Sequence, residues 1–153
     1  MQDGKFSRDE FLGMYKEDTL KLAAYISYFD NKKGRDVAST YGNNDKMKAT
    51  ISFPVYDPTL LNFIKEASET VFIEQNYPYF FTRNGIRSVQ DELKTIEKAD
   101  IMHMDNLKCI ISKYVLGGRT KAYLWQQAVE NGIFLAALKK AKDIVDFWDR
   151  KEA

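Results

Sequence analysis

The chain has 153 residues, 44% hydrophobic and 29% charged, with a formal net charge of +1; that is enough for one buried core and excludes a global field drawing it onto nucleic acid or an anionic membrane. A single cysteine, Cys109, excludes an internal disulfide and a multi-cysteine zinc site. The longest apolar run, IFLAAL, falls far short of the roughly 20 residues of a membrane span, and the opening MQDGKFSRDE lacks the apolar stretch of a secretory signal, so a cytoplasmic protein is expected.

The first element opens at Ser7-Arg8-Asp9-Glu10, a capping-box spacing. Phe11, Met14, Tyr15, Leu22, Ile26 and Phe29 continue it at helical spacing toward a stop at Gly34. Residues 35–49 are polar and rich in Gly, Asn and Asp, and read as a long loop. Thr50–Tyr56, TISFPVY, is extended, restricted to an edge strand by Pro54. Asp57-Pro58 starts a helix whose stripe is Leu60, Ile64, Ala67 and Val71. The stretch NYPYFF is expected not to form a regular helix, because Pro78 biases Tyr77 toward extended geometry. After the turn at Asn84-Gly85, Ser88 caps a helix facing Val89, Leu93 and Ile96 inward. A further helix runs from Asp105 through Leu107, Ile110, Ile111 and Tyr114. Gly117-Gly118 is read as a turn with a left-handed glycine, followed by Thr120 as a cap and by Leu124, Trp125, Ala128 and Val129 on one face. Asn131-Gly132 ends that helix, and the last one carries Phe134, Leu138, Ala141, Val145 and Trp148 inward. The pattern predicts a mainly α protein: one domain over 1–153, five to seven amphipathic helices around a single core, and strand only near 50–56.

The chemistry is mostly one of absences. No phosphate loop, HExxH, CxxC or GxSxG pattern occurs. Glu97, Asp100 and His103 fall three apart and would form a row on a continued helix, but one histidine without a second ligand cluster favours a junction residue. Cys109 flanks an apolar stripe and reads as a small hydrophobe, although Lys108 and Lys113 are near in sequence. Tyr77, Tyr79, Phe80 and Phe81, followed by Arg83 and Arg87, have the composition of a base-stacking platform with a phosphate-binding rim. The favoured reading is that these rings close one end of the core while the arginines stay solvated. No catalytic, cofactor-binding or metal-ligating residue is assigned.

The remaining candidates gather around YVLGGRTKAYLWQQ. Helix, glycine turn and helix over 105–131 outline a helix-turn-helix. Arg119, Thr120, Lys121, Gln126 and Gln127 are types suited to phosphates and base edges. Any αα-hairpin gives the same outline, so DNA reading ranks second. Arg119 stands at the bend as the foremost candidate for contact with a ligand.

The segments LKCIISKYVLGGRTKAYLWQQAVENGIFLAALKKAKDI, LAAYISYFD and FPVYDPTLLNFIKEA resemble a family of short, mostly Gram-positive bacterial proteins, found also on mobile elements and known only as a domain of unknown function. In that family an aromatic and a further glycine usually follow the glycine-arginine turn, whereas here Thr120-Lys121-Ala122-Tyr123 follow. The resemblance implies a helical cytoplasmic protein and carries no site residue. Taken together, the sequence predicts a non-enzymatic, cofactor-free interaction or accessory module. Its partner is a protein or a second copy, with nucleic acid as the alternative.

Overall fold

The structure, a computed structural model, describes residues 7–33, 38–41 and 53–150. Among them are eight helices: α1 (Arg8–Ala23), α2 (Ile26–Lys32), α3 (Pro58–Ala67), α4 (Tyr77–Arg83), α5 (Val89–Lys98), α6 (Met104–Gly117), α7 (Leu124–Glu130) and α8 (Ile133–Arg150). A two-stranded antiparallel ribbon joins β1 (Ala38–Tyr41) to β2 (Phe53–Tyr56), with Ala38 opposite Tyr56 and Tyr41 opposite Phe53. The protein is mainly α, as expected.

Helix α8 forms the axis. Its inward side buries Ile133, Phe134, Leu135, Ala137, Leu138, Ala141, Ile144 and Val145, and it packs against α1, α2, α5, α6 and α7. In its first turn, Phe134 meets Phe29 of α2 at 5.3 Å, Phe63 of α3 at 5.0 Å and Tyr114 of α6 at 6.1 Å between ring centroids. Such tilted and edge-on pairs add to the gain from burial alone. At its far end Trp148 stacks on Phe11 at 4.6 Å and 13°. There the Arg8 guanidinium donates to the carbonyls of Trp148 and Asp149, each at 3.0 Å, filling acceptors that a helix end leaves open. Trp148 is half-buried rather than largely buried, and its indole N–H donates to the Ile101 carbonyl at 3.1 Å.

Several elements depart from the sequence pattern. The first helical segment breaks at Ala24–Tyr25, and with the added α4 this brings the described helices to eight, above the expected seven. The Tyr25 N–H donates back only three residues, to the Leu22 carbonyl at 3.0 Å, and its hydroxyl reaches Glu66 at 3.0 Å. The bend aims Phe29 at Phe63. β1 lies within 35–49, so that stretch is not loop throughout: an extended β2 needs a partner for its ladder groups. Residues 35–37 and 42–49 of the expected loop, Thr50, Ile51 and Ser52 of the expected strand, and Gly34 lie outside the described residues. NYPYFF is helical after all, because Pro78 sits in the first turn of α4, where its missing N–H costs nothing. The α3 helix ends at Ala67, before Val71.

The caps are better legible. Ser7 and Glu10 close the capping box on α1, with Glu10 N–H to Ser7 Oγ at 3.1 Å and Ser7 N–H to Glu10 Oε1 at 3.0 Å. Ser88 Oγ accepts from Asp91 N–H at 3.1 Å. Asp57 precedes Pro58 as expected but makes no side-chain cap; its carboxylate accepts from the Tyr28 hydroxyl at 2.7 Å. Gly132 leaves α7 at φ +78°, a conformation glycine adopts without strain.

The Gly-Gly turn works differently from the expectation. Gly118 is right-handed, at φ −69°, and the left-handed residue of this connection is Tyr123 at φ 69°. Tyr123, not Thr120, stands at the N-cap of α7, and the Thr120 hydroxyl donates instead to the Gly117 carbonyl at 3.3 Å. Gly118 is required for space: a Cβ there would lie 2.1 Å from Trp125 Nε1 and 2.3 Å from its Cδ1. Trp125 packs against the end of α6, its indole nitrogen 3.4 Å from the Val115 carbonyl oxygen and its ring 5.3 Å from that of Tyr56. Gly118→Val should therefore cost at least about 1–3 kcal/mol through overpacking. Arg119→Ala, at an exposed position, should stay within about 0.5 kcal/mol of the parent. Urea melts of the two variants check this, and equal midpoints would refute the packing account.

Candidate functional site: an aromatic helix between two clefts

Four of the seven residues of α4 are aromatic, Tyr77, Tyr79, Phe80 and Phe81, and none of the seven is fully buried. A helix this apolar ordinarily hides a stripe against the core. Here Phe81 packs on the core in part, while Tyr79 stands 66% exposed with the Arg83 guanidinium 5.9 Å above its ring. The rings do not close one end of the core; they form a ridge on it.

Both ends of the ridge are anchored. Before α4, the buried Ser112 hydroxyl donates to the Phe72 carbonyl at 2.9 Å and accepts from the Glu74 N–H at 2.7 Å, pinning the incoming strand of chain to α6. The Val71 N–H donates to Asp18 at 2.9 Å. After α4, Ile86 is buried and the Arg87 N–H donates to the Asp91 carboxylate at 2.9 Å. That hydrogen bond, helped by those from Ser88, lowers the Asp91 pKa against an opposing cost of desolvation.

A cleft flanks the ridge on each side. One, of about 450 Å³, is lined by Glu74, Asn76, Tyr79, Phe80, Asp105, Lys108 and Cys109. The other, of about 370 Å³, lies between α4, α6 and the connection to α7, with Tyr77, Pro78, Phe81, Lys113, Lys121 and Leu124 among its walls.

Behind this second cleft sits a buried charged group. Glu92 is 1% exposed, yet it carries a carboxylate. One oxygen accepts from the Tyr114 hydroxyl at 2.5 Å and the other takes the Lys113 ammonium in a close ion pair. The Lys113 nitrogen lies 4.7 Å from the Tyr114 ring centroid and 5.3 Å from that of Phe81, which fixes the cation over two aromatic faces. Burial first, then the hydrogen bond and charge of Glu92, push the Tyr114 phenol up, so it holds its proton.

The sequence-predicted residues are spread over this region. Lys121 lines the second cleft, and Arg119 and Thr120 are exposed beside it in the connection. Gln126 donates to Glu130 at 3.2 Å within α7, while Gln127 is exposed. Arg83 and Arg87 are exposed at the other end of α4. The row of Glu97, Asp100 and His103 does not form, since α5 ends at Lys98. His103 Nδ1 instead accepts from the Asp100 N–H at 3.1 Å. Among the described residues no group of three His, Cys, Asp or Glu side chains is placed to hold a metal ion. The buried Cys109 thiol is pushed up to about 11, by burial first and then by the charges of Glu74 and Asp105, so it is not a thiolate at neutral pH.

Sequence reasoning missed Glu92, Ser112 and Lys113 as site residues. The signal for Glu92 was present: it lies three residues after Val89 and four before Ile96, a carboxylate on the apolar stripe of its helix.

A family profile described as a family of unknown function, DUF6508, matches residues 14–147, from α1 into the last turns of α8. The chain belongs to this family. No curated protein and no solved structure matches it. The DUF6508 match includes both clefts, the α4 ridge and the Glu92 cluster. No helix among the described residues is long and apolar enough to cross a membrane.

Removing Glu92 leaves Lys113 and the Tyr114 hydroxyl without their shared acceptor. Glu92→Ala should cost about 1–3 kcal/mol, chiefly the penalty of leaving the buried Tyr114 hydroxyl unpaired, and a urea melt within error of the parent would contradict it. A second expectation concerns alkaline pH. Tyr15 is pushed up to about 12, by burial and then by Asp105, the Cys109 thiol to about 11, and Tyr28 and Tyr114 also upward. The folded chain therefore keeps protons that the unfolded chain releases, so their contribution is fully present below about pH 9 and is lost as pH rises toward about 12. The urea midpoint should fall across that window; a rise would refute the burial of these groups.

Proposed function

We propose that this DUF6508 protein is a non-enzymatic interaction module of the bacterial cytoplasm that docks another protein on the α4 ridge. The observation that carries the reading is the aromatic helix α4, only half-covered by the core, with Tyr79 exposed at its crest and Arg83 over it. Tyr, Phe and Arg are the residue types enriched at interface cores, where they supply large contact area at low entropic cost. The anchoring by Ser112 and Ile86 supports it too, because a ridge held rigid before binding loses little freedom on docking. The non-enzymatic part rests on the protonated Cys109 thiol and on His103, engaged with the helix junction.

The test is site-specific photo-crosslinking in the native host. A benzoylphenylalanine placed at Tyr79 should yield a discrete protein adduct that survives nuclease, whereas the same residue at the exposed Glu17 of α1 should not. An adduct of twice the chain's own mass would make a second copy the partner. Loss of the adduct on nuclease treatment would favour the nucleic-acid alternative. Equal adducts from both positions, or none from Tyr79, would sink the proposal.

A further inference from the structure

We infer that the cleft between α4, α6 and the α6–α7 connection is the specificity pocket of that docking surface, and that it takes an apolar side chain with a neighbouring carboxylate, from an acidic segment of the partner. This rests on the α4 reading and names the partner's chemistry.

Three features converge on it. The walls are apolar where a side chain would enter: Tyr77, Pro78 and Phe81 on one side and Leu124 on the other. The space between them is kept by Gly117, where a Cβ would come 3.0 Å from Leu124 Cδ2 and 3.8 Å from the Tyr77 hydroxyl. Any side chain at 117 would take up room in the gap. At about 370 Å³ the cleft is at the lower end of ligand-pocket volumes, the size for one large side chain rather than an extended ligand.

The charge is one-sided. Two lysines line the cleft, Lys113 and Lys121, and no carboxylate does. Glu92 stands behind Lys113, 1% exposed, and offsets one of the two positive charges. It also holds the Lys113 ammonium in place, between the Phe81 and Tyr114 rings, with its side chain 33% exposed. The cleft thus presents one cation already fixed and one at its rim, with a net charge near that of a single lysine. One carboxylate beside the anchor complements it. The cleft across the ridge differs, for it carries Glu74 and Asp105 against Lys108. That asymmetry orients an acidic segment along the Lys113 side and disfavours a phosphate backbone, whose binding draws on several phosphate contacts at once.

The test is an NMR titration of the ¹⁵N-labelled full chain with blocked pentapeptides. The probes are acetyl-Asp-Glu-Trp-Glu-Asp-amide, the same peptide with Ala for Trp, and acetyl-Lys-Lys-Trp-Lys-Lys-amide, with an oligothymidine as a fourth. The acidic Trp peptide should shift the amides of Phe81, Lys113, Gly117 and Lys121 at concentrations up to about 2 mM, a range suited to one isolated anchor. The Ala and lysine peptides should shift them little. Lys121→Glu and Thr82→Glu, both at exposed positions lining the cleft, should weaken the response at least about threefold while leaving the melting point unchanged. Shifts confined to Tyr79, Phe80 and Cys109 would overturn the pocket assignment and leave α4 as a docking ridge. An equal response to the lysine peptide, retention of the response in both glutamate variants, or no response to any peptide would overturn the acidic-segment inference. A response to oligothymidine alone would overturn the inference and the protein-docking reading together.

Discussion

The buried carboxylate of Glu92 is the constraint on which the site depends. A carboxylate so fully withdrawn from water is tolerable only when its oxygens are filled, and here Tyr114 and Lys113 fill them. Both partners lie on α6, one residue apart, so a single acid on α5 sets how those two helices face each other. The same contact draws Lys113 inward across the Phe81 ring, coupling α4 to the pair. Replacing the cluster with apolar residues could preserve stability, since buried ion pairs seldom exceed hydrophobic packing in worth. What such a replacement would lose is a cation held at one place beside a cleft.

The hydrophobic core explains why α4 is left outside. Phe134 sits in the first turn of α8, and the rings of Phe29, Phe63 and Tyr114 close around it from α2, α3 and α6. With those positions taken and Phe72 already buried just before it, α4 has only partial access to the interior. Ser112 then fixes the chain entering α4 by satisfying one donor and one acceptor of the backbone. The aromatic helix is thus held in place with Tyr79 exposed on it, a combination suited to recognition.

The Gly-Gly-Arg turn takes on a different meaning in this setting. Its glycines serve packing and volume: Gly118 accommodates the Trp125 ring and Gly117 opens the floor of the cleft. Of the turn's polar residues, Lys121 is the one that reaches the ridge. The strained, left-handed Tyr123 shapes the connection that carries it there.

Local chemistry is what the sequence by itself determined. The capping box at Ser7 and Glu10, the Ser88 cap, the proline start at Pro58, the glycine stop at Gly132 and the apolar stripe of α8 depend on neighbours within one helical turn or on a helix's own period. All are readable without the rest of the chain. The mainly α class and the DUF6508 resemblance follow from the same level. Tertiary structure decided what depends on distant partners. The bend at Tyr25 interrupts an unbroken helical pattern because Glu66 and Phe63 wait on its far side. β1 pairs with β2 across residues whose composition reads as loop. Whether the rings of α4 would be core or surface depends on Phe134 and its neighbours, which occupy the interior beside it. Glu92 illustrates the division: its place on an apolar stripe was visible, but its meaning required Lys113 and Tyr114, more than twenty residues on, which only folding brings within hydrogen-bonding distance.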